Sequence, residues 1–282
     1  MTLAEIANAL VEKGCRVLMF DLFGRGYSDA PGDLPYDTRL YVTQVLLALA
    51  SSPLAWTGRD AISIVGYSLG GGIAVNFAAT FPDMVASLVL LAPAGLIRPE
   101  NIGRASRLVF TSGIVPERLL AWMTKSRLRK PIDNAVSKRR SKLPSLVEEK
   151  EDFVDVAVQD AVDPLAKQSP TPFECEVTRF VHWSIDHNEG FVPAMMSSIQ
   201  HSPLMEQHAY WRLLAKRKPG TTAVLLGQDD TLVQHEDYEE DALPLVGGRD
   251  NVFWRIVPGA HNFPFTHPHG ALKAIYEFWN ME

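Results

Sequence analysis

Cysteine is scarce in this chain of 282 residues: there are two, Cys15 and Cys175, far apart. That excludes a disulfide framework and any C-x-x-C zinc or redox spacing, and it fits a reducing compartment. Long apolar runs are also lacking, since none reaches the roughly 20 residues a membrane-spanning helix needs. A basic excess is missing as well: the formal net charge is -6. An acidic balance argues against general nucleic-acid binding, which requires cations to displace phosphate counterions. No internal repeat, low-complexity tract or metal-ligand spacing is found, so no cofactor and no metal are expected. Met1 opens no signal-peptide pattern of basic residues, apolar stretch and small cleavage site. The expected compartment is therefore the cytoplasm. What is present is ordinary globular material, 46% hydrophobic and 21% charged, in a chain long enough to bury a large core.

Hydrophobic periodicity gives the organisation. Leu3, Ile6, Ala7, Leu10 and Val11 recur at helical spacing, with Gly14 as a stop. Arg16-Val-Leu-Met-Phe-Asp21 reads as a buried strand running into the glycine-rich turn Leu22-Phe-Gly24-Arg-Gly26-Tyr-Ser28. Asp37 and Thr38 are placed to cap a helix through Leu49. Ala61–Val65 and Val85–Ala92 read as further buried strands, with a helix between them that ends before Pro82. The alternation of strands and helices predicts an α/β fold: a mostly parallel sheet with helices on both faces. From Gly95 to about Pro219 the strands stop and helical patterns dominate, which marks an inserted helical segment. Strands return at 221–226 and 252–257, with a helix around 236–245 and a last helix from Pro268 to Trp279.

The sharpest motif is Gly66-Tyr67-Ser68-Leu69-Gly70, a G-x-S-x-G placed directly between a strand and a helix. Such a turn is so tight that the residues two before and two after the serine must lack bulk, and it leaves the hydroxyl exposed in a strained conformation. The Leu69 N–H, opening the helix, is positioned to meet a developing oxyanion. A serine hydroxyl needs a base oriented by a carboxylate, in the chain order serine, acid, histidine. Leu226-Gly227-Gln228-Asp229-Asp230 and Val257-Pro258-Gly259-Ala260-His261 supply both after later strands, at the strand ends where open α/β sheets carry their sites. The remaining histidines lie in the insert or beside helix ends and read as surface residues.

These residues carry a resemblance to the α/β-hydrolase fold family, specifically its cap-bearing serine hydrolases, from the first helix to the last. The resemblance implies a core in two parts, 1–95 and 220–282, with 96–219 as the variable cap. It implies a catalytic triad of Ser68, Asp230 and His261, Asp229 remaining the alternative acid. Asp21, Gly24, Gly26 and Ser28 resemble the family's D-x-x-G-x-G-x-S loop, so with Gly66 and Gly70 they are expected to support the site structurally. A serine nucleophile excludes the aspartate chemistry of haloalkane dehalogenases and epoxide hydrolases. What remains is hydrolysis of an ester, thioester, lactone or amide of a small, mainly apolar molecule, or the C–C cleavage of some capped relatives. A catalytically weak ligand-binding protein is the alternative.

Two further features set expectations. The family has a strand and a His-Gly oxyanion loop before its first helix, whereas the helical pattern here begins at Leu3. The chain is therefore expected to be an N-terminally incomplete version of a longer hydrolase, weakly active as written. Within the insert, eight basic residues between Lys125 and Lys142 stand against Asp133 alone. They read as a solvated helix face or as an attraction to an anionic substrate or lipid surface. Phe173, Trp183, Phe191, Met195 and Met196 line an acyl pocket or form the cap's own core.

Overall fold

The structure, a computed structural model, describes residues 3–101, 117–129 and 172–281, without the side chains of 117–119, 127, 172–175 and 178. Residues 130–142 of the basic cluster and the Phe173 side chain lie outside the described residues. The chain divides into two compact units. The first comprises the described residues of Met1–Phe20, Asp37–Arg98 and Ser202–Glu282. The second comprises those of Asp21–Tyr36 and Pro99–His201.

In the first unit α1 (Ala4–Glu12) and α2 (Thr38–Ser51) precede β1 (Ile62–Tyr67), α3 (Leu69–Thr80) and β2 (Val85–Leu91). In the second, α4 (Glu117–Leu128), α5 (Pro172–His187) and α6 (Phe191–His201) follow. The first unit resumes with α7 (His208–Leu213), β3 (Thr222–Gly227), α8 (His235–Leu245), β4 (Phe253–Val257), α9 (Phe263–Thr266) and α10 (Pro268–Trp279). None of the described helices is long and apolar enough to cross a membrane.

The four strands form a parallel sheet in the order β1-β2-β3-β4. Strands covered on both faces need no polar alternation, which is why Leu88–Leu91 and Ala223–Leu226 are wholly apolar and without solvent exposure. α3 is buried almost throughout, from Gly71 to Ala78. α1 buries Ile6, Ala7 and Leu10, and Gly14 ends it at φ +86°. The Asp37 carboxylate caps α2 by accepting the Leu40 N–H at 3.0 Å. Partial burial opposes its charge, but the Leu40 N–H and the Arg39 guanidinium hold its pKa below the ordinary value.

One predicted strand is absent. The run 16–20 joins no strand of the sheet, and Val17, Leu18, Met19 and Phe20 are between 36% and 48% exposed. An apolar run becomes a strand only where a neighbour takes up its N–H and C=O groups, and tertiary context overrides pattern when none does. The one strand pairing of β1 among the described residues is with β2.

The second unit has a core of its own. Leu120, Leu128, Ile185, Phe191, Val192, Met195 and Met196 bury one another. Phe191, Met195 and Met196 thus belong to this core, while Trp183 stacks at an outer position between Phe180 and His187. The 21–36 segment closes on itself and on α6. Asp21 accepts the Tyr27 N–H and Ser28 donates its hydroxyl to the Asp21 carbonyl. Gly24 adopts φ +71°, and a Cβ there would stand 2.1 Å from that of Ala194.

Candidate active site

The site is built on the first unit, at the carboxyl ends of β1, β3 and β4. β1 ends in Tyr67, and Ser68 occupies φ +50°, ψ -120°, a backbone region that costs a non-glycine residue about 1–3 kcal/mol. Four hydrogen bonds hold it there. The Ser68 N–H donates to Leu91 at 3.0 Å, and its carbonyl accepts the N–H groups of Gly71 (2.9 Å), Gly72 (3.1 Å) and Ala94 (2.8 Å). The steric demand of the turn falls partly elsewhere than expected. A Cβ on Gly66 would lie 2.5 Å from the Gly70 carbonyl oxygen, so Gly66 is required. Gly70 itself faces open space, with nothing within 4 Å, and does not supply the support predicted for it on steric grounds. The crowded positions are Gly71, against Pro93, and Gly72, against the Pro203 and Ala94 carbonyls. α3 meets the segment Pro93–Ala94 just after Gly70, at Gly71 and Gly72, which shifts the close approach by one and two residues.

Ser68 Oγ lies 2.9 Å from His261 Nε2, and His261 Nδ1 lies 2.7 Å from Asp230 Oδ2. The Asp230 side chain is fully buried, and its other oxygen accepts the N–H groups of Leu232 (2.9 Å) and Val233 (2.8 Å). A carboxylate accepts and cannot donate, so the proton of the imidazole sits on Nδ1 and Nε2 is left as the acceptor facing the serine. Asp229 is exposed and its N–H is spent on Gly259 at 3.0 Å. The structure therefore brings Asp230, and not its neighbour, to the histidine.

Two turns interlock to fix this spacing. The N–H of Gln228 donates to Val257 at 2.8 Å, continuing the pairing of β3 with β4 past the strand ends. A side chain at Gly227 would meet the Ala260 oxygen at 2.7 Å. Leu69 is the first residue of α3, so its N–H has no carbonyl four residues earlier within the helix and remains a donor at the helix N-terminus. Asp21, Gly24 and Ser28 belong to the second unit and hold the turn described above, as does Gly26 at φ +54°, where a Cβ would stand 2.1 Å from Asp21 Oδ2. His187, His235 and His267 bond to Trp183, Glu236 and Thr266 respectively.

Sequence reasoning passed over the segment that follows β2. Tyr238 of α8, fully buried, donates its hydroxyl to the Pro93 carbonyl at 2.6 Å and accepts the Leu96 N–H at 3.2 Å, and burial pushes its phenol pKa up. Arg98 meets Asp237, Glu240 and Asp241 of α8 at 2.9, 2.7 and 2.7 Å. The same segment supplies the Ala94 N–H to Ser68, so Ser68 and the helix that follows the Asp229-Asp230 turn are tied to one stretch of backbone. The Gly70-Gly71-Gly72 run was the signal available for that close packing.

A strained serine on the turn from strand to helix, bonded through a histidine to a buried aspartate, is a constellation that the α/β-hydrolase fold carries. The chain matches the α/β hydrolase fold over residues 3–268 and belongs to that family. It is 34% identical over 91 residues to 2-hydroxymuconate semialdehyde hydrolase of Pseudomonas sp. (strain CF600), covering 32% of this chain and 30% of that protein. It is 27% identical over 135 residues to monoglyceride lipase of Homo sapiens, covering 48% of this chain and 42% of the lipase. The matches thus span less than half the length of these curated relatives. Among solved structures, bromoperoxidase from Bacillus anthracis superimposes with a TM-score of 0.63 at 17% identity, over 99% of this chain and 87% of that one. That likeness is one of fold.

Proposed function

We propose that this chain is a serine hydrolase that cleaves an ester-type bond, ester, thioester, lactone or amide, of a small and mainly apolar substrate. The observation that carries the reading is the unbroken hydrogen-bond line from Ser68 through His261 to Asp230. Ser68 Oγ attacks the carbonyl carbon as its proton passes to His261 Nε2, and Asp230 stabilises the imidazolium that forms. The carbonyl oxygen becomes an oxyanion that the Leu69 N–H meets at the helix N-terminus. Collapse breaks the bond to the leaving group, which takes the proton back from His261. Water, deprotonated by the same histidine, then releases the acid and restores Ser68. The chemistry runs on these side chains and water. The scarcity of cysteine supports a cytoplasmic setting.

The test is a fluorophosphonate probe with Ser68→Ala as control, alongside hydrolysis of p-nitrophenyl esters. Labelling at Ser68, and a loss of about 10⁶-fold in ester turnover in the variant, are expected. Undiminished esterase activity in Ser68→Ala defeats the reading. The likeness to a semialdehyde hydrolase favours, as a second reading, a carbon–carbon bond next to a carbonyl as the one cleaved. Product analysis separates the two, since the same serine serves both.

A further inference from the structure

The residue inside the nucleophile turn whose side chain the mechanism leaves unused is Tyr67. Its ring centroid stands 5.3 Å from that of His261, with the planes inclined at 40°. The same ring meets Phe265 of α9 edge to face, at 4.9 Å and 85°. Phe265 thus backs Tyr67, and Tyr67 backs the histidine.

His261 is hydrogen-bonded at both of its nitrogens, to Asp230 and to Ser68. Bonds to the ring nitrogens run best in the imidazole plane, where the N–H and the lone pair point. They fix the line between the two partners but resist rotation of the ring about that line only weakly, because a hydrogen-bond angle is soft. An aromatic ring standing beside the imidazole adds a restraint on that rotation. It also supplies an electrostatic one where the imidazole lies over its face, since a cation over the face of an aromatic ring and within about 6 Å of its centroid is attracted by the ring quadrupole. His261 is neutral before reaction and cationic once it has taken the serine proton, so this attraction grows as the transition state is approached.

We propose that Tyr67 is a positioning residue for His261: its ring holds the tilt of the imidazole, and its π system stabilises the imidazolium formed during attack. The inference rests on the acyl-transfer reading above and deepens it. The titratable groups in the elements that carry and surround the imidazole are few. Asp230 bonds to it, and Asp229 is exposed with its N–H on Gly259. Tyr67 itself faces it, and His267 bonds through Nδ1 to Thr266. Asp230 is the charged partner that dominates, and it is unchanged by any substitution at 67.

The test uses the full chain with Tyr67→Phe as the reference and a series of phenylalanines at 67 carrying one, two and three ring fluorines. Fluorination drains the π face while leaving the ring's shape almost constant, so folding, checked by circular dichroism and thermal melting, is held fixed. Two readouts are taken: the rate of Ser68 labelling by a fluorophosphonate, and kcat and KM for p-nitrophenyl butyrate across pH. All activities in the series are read relative to Tyr67→Phe. Along the fluorine series kcat falls stepwise, by about 3- to 30-fold in total, with KM unchanged. The acidic limb of the profile moves to lower pH, because a less stabilised imidazolium gives up its proton more readily. Tyr67→Leu falls at least as far as the most fluorinated member. A flat or rising series in a protein whose Ser68 still labels overturns the inference alone. Absence of labelling at Ser68 in the wild type overturns the hydrolase reading and this inference with it.

Discussion

Replacing Asp230 by asparagine separates the acid's chemical role from its structural one. Asp230 Oδ1 accepts two buried N–H groups, from Leu232 at 2.9 Å and Val233 at 2.8 Å. An asparagine placed there keeps its carbonyl oxygen on those donors, since turning the amide over would set N–H against N–H. Its NH₂ group is then left facing His261 Nδ1, which the native Oδ2 approaches to 2.7 Å. A donor opposite Nδ1 makes that nitrogen the acceptor and moves the ring proton to Nε2. Nε2 stands 2.9 Å from Ser68 Oγ and, once protonated, cannot take the serine proton. The expected loss in kcat is about 10⁴-fold, or about 5 kcal/mol of transition-state stabilisation. Folding stability changes by no more than about 1 kcal/mol, because both backbone bonds survive. Asp230→Ala loses the same activity but also strands two buried N–H groups at about 1–3 kcal/mol each. Ester turnover and urea unfolding on the two variants give the comparison. An Asp230→Asn protein that retains a tenth of wild-type turnover, or one destabilised as much as Asp230→Ala, refutes the reasoning.

Gly66→Ala, with its Cβ 2.5 Å from a carbonyl oxygen, is expected to destabilise by about 1–3 kcal/mol, whereas Gly70→Ala, in open space on a helix, is neutral or stabilising by up to about 1 kcal/mol. Thermal unfolding decides between them, and the reverse order contradicts the account of the turn. Arg98→Met leaves three carboxylates of α8 facing one another around a side chain that is 26% exposed; a loss of about 2 kcal/mol is expected, shrinking as salt is raised toward about 1 M. A loss equal at all salt concentrations shows that packing, not charge, is what Arg98 provides. Asp37→Ala removes the α2 cap at a cost of about 1 kcal/mol. Because the folded pKa of Asp37 lies below the ordinary 3.8, the ionised cap contributes fully above that value and its contribution is lost as pH falls through the folded pKa. The stability gap between wild type and variant is therefore constant at neutral pH and closes below 3.8, which urea titrations at several pH values measure.

Local pattern was enough for the elements that carry the site. Largely apolar runs marked β1 to β4, and glycine-bearing turns marked the carboxyl ends of β1, β3 and β4, because a strand that is mostly buried and the sharp turn leaving it each restrict residue type locally. Ser68, Asp230 and His261 were each legible as a reactive residue just past a strand. The choice of Asp230 over Asp229 came from the family resemblance and not from local pattern, since both follow the same glycine and the geometry rests on which carboxylate the turn directs inward.

Other features belong to tertiary structure alone. Residues 16–20 carry a strand-like pattern yet stay outside the sheet, because pairing depends on a neighbour that a linear pattern does not specify. Phe191, Met195 and Met196 were equally good as pocket or core until the packing of α4, α5 and α6 made them core. The need for glycine at 71 and 72 comes from Pro93, Ala94 and Pro203, residues distant in sequence, and the contact of Tyr67 with His261 joins residues from opposite ends of the chain. By itself the amino-acid sequence determined which residues can perform chemistry and on which elements they ride. Their distances, their burial and what braces them were decided by contacts between segments far apart along the chain, which no local pattern encodes.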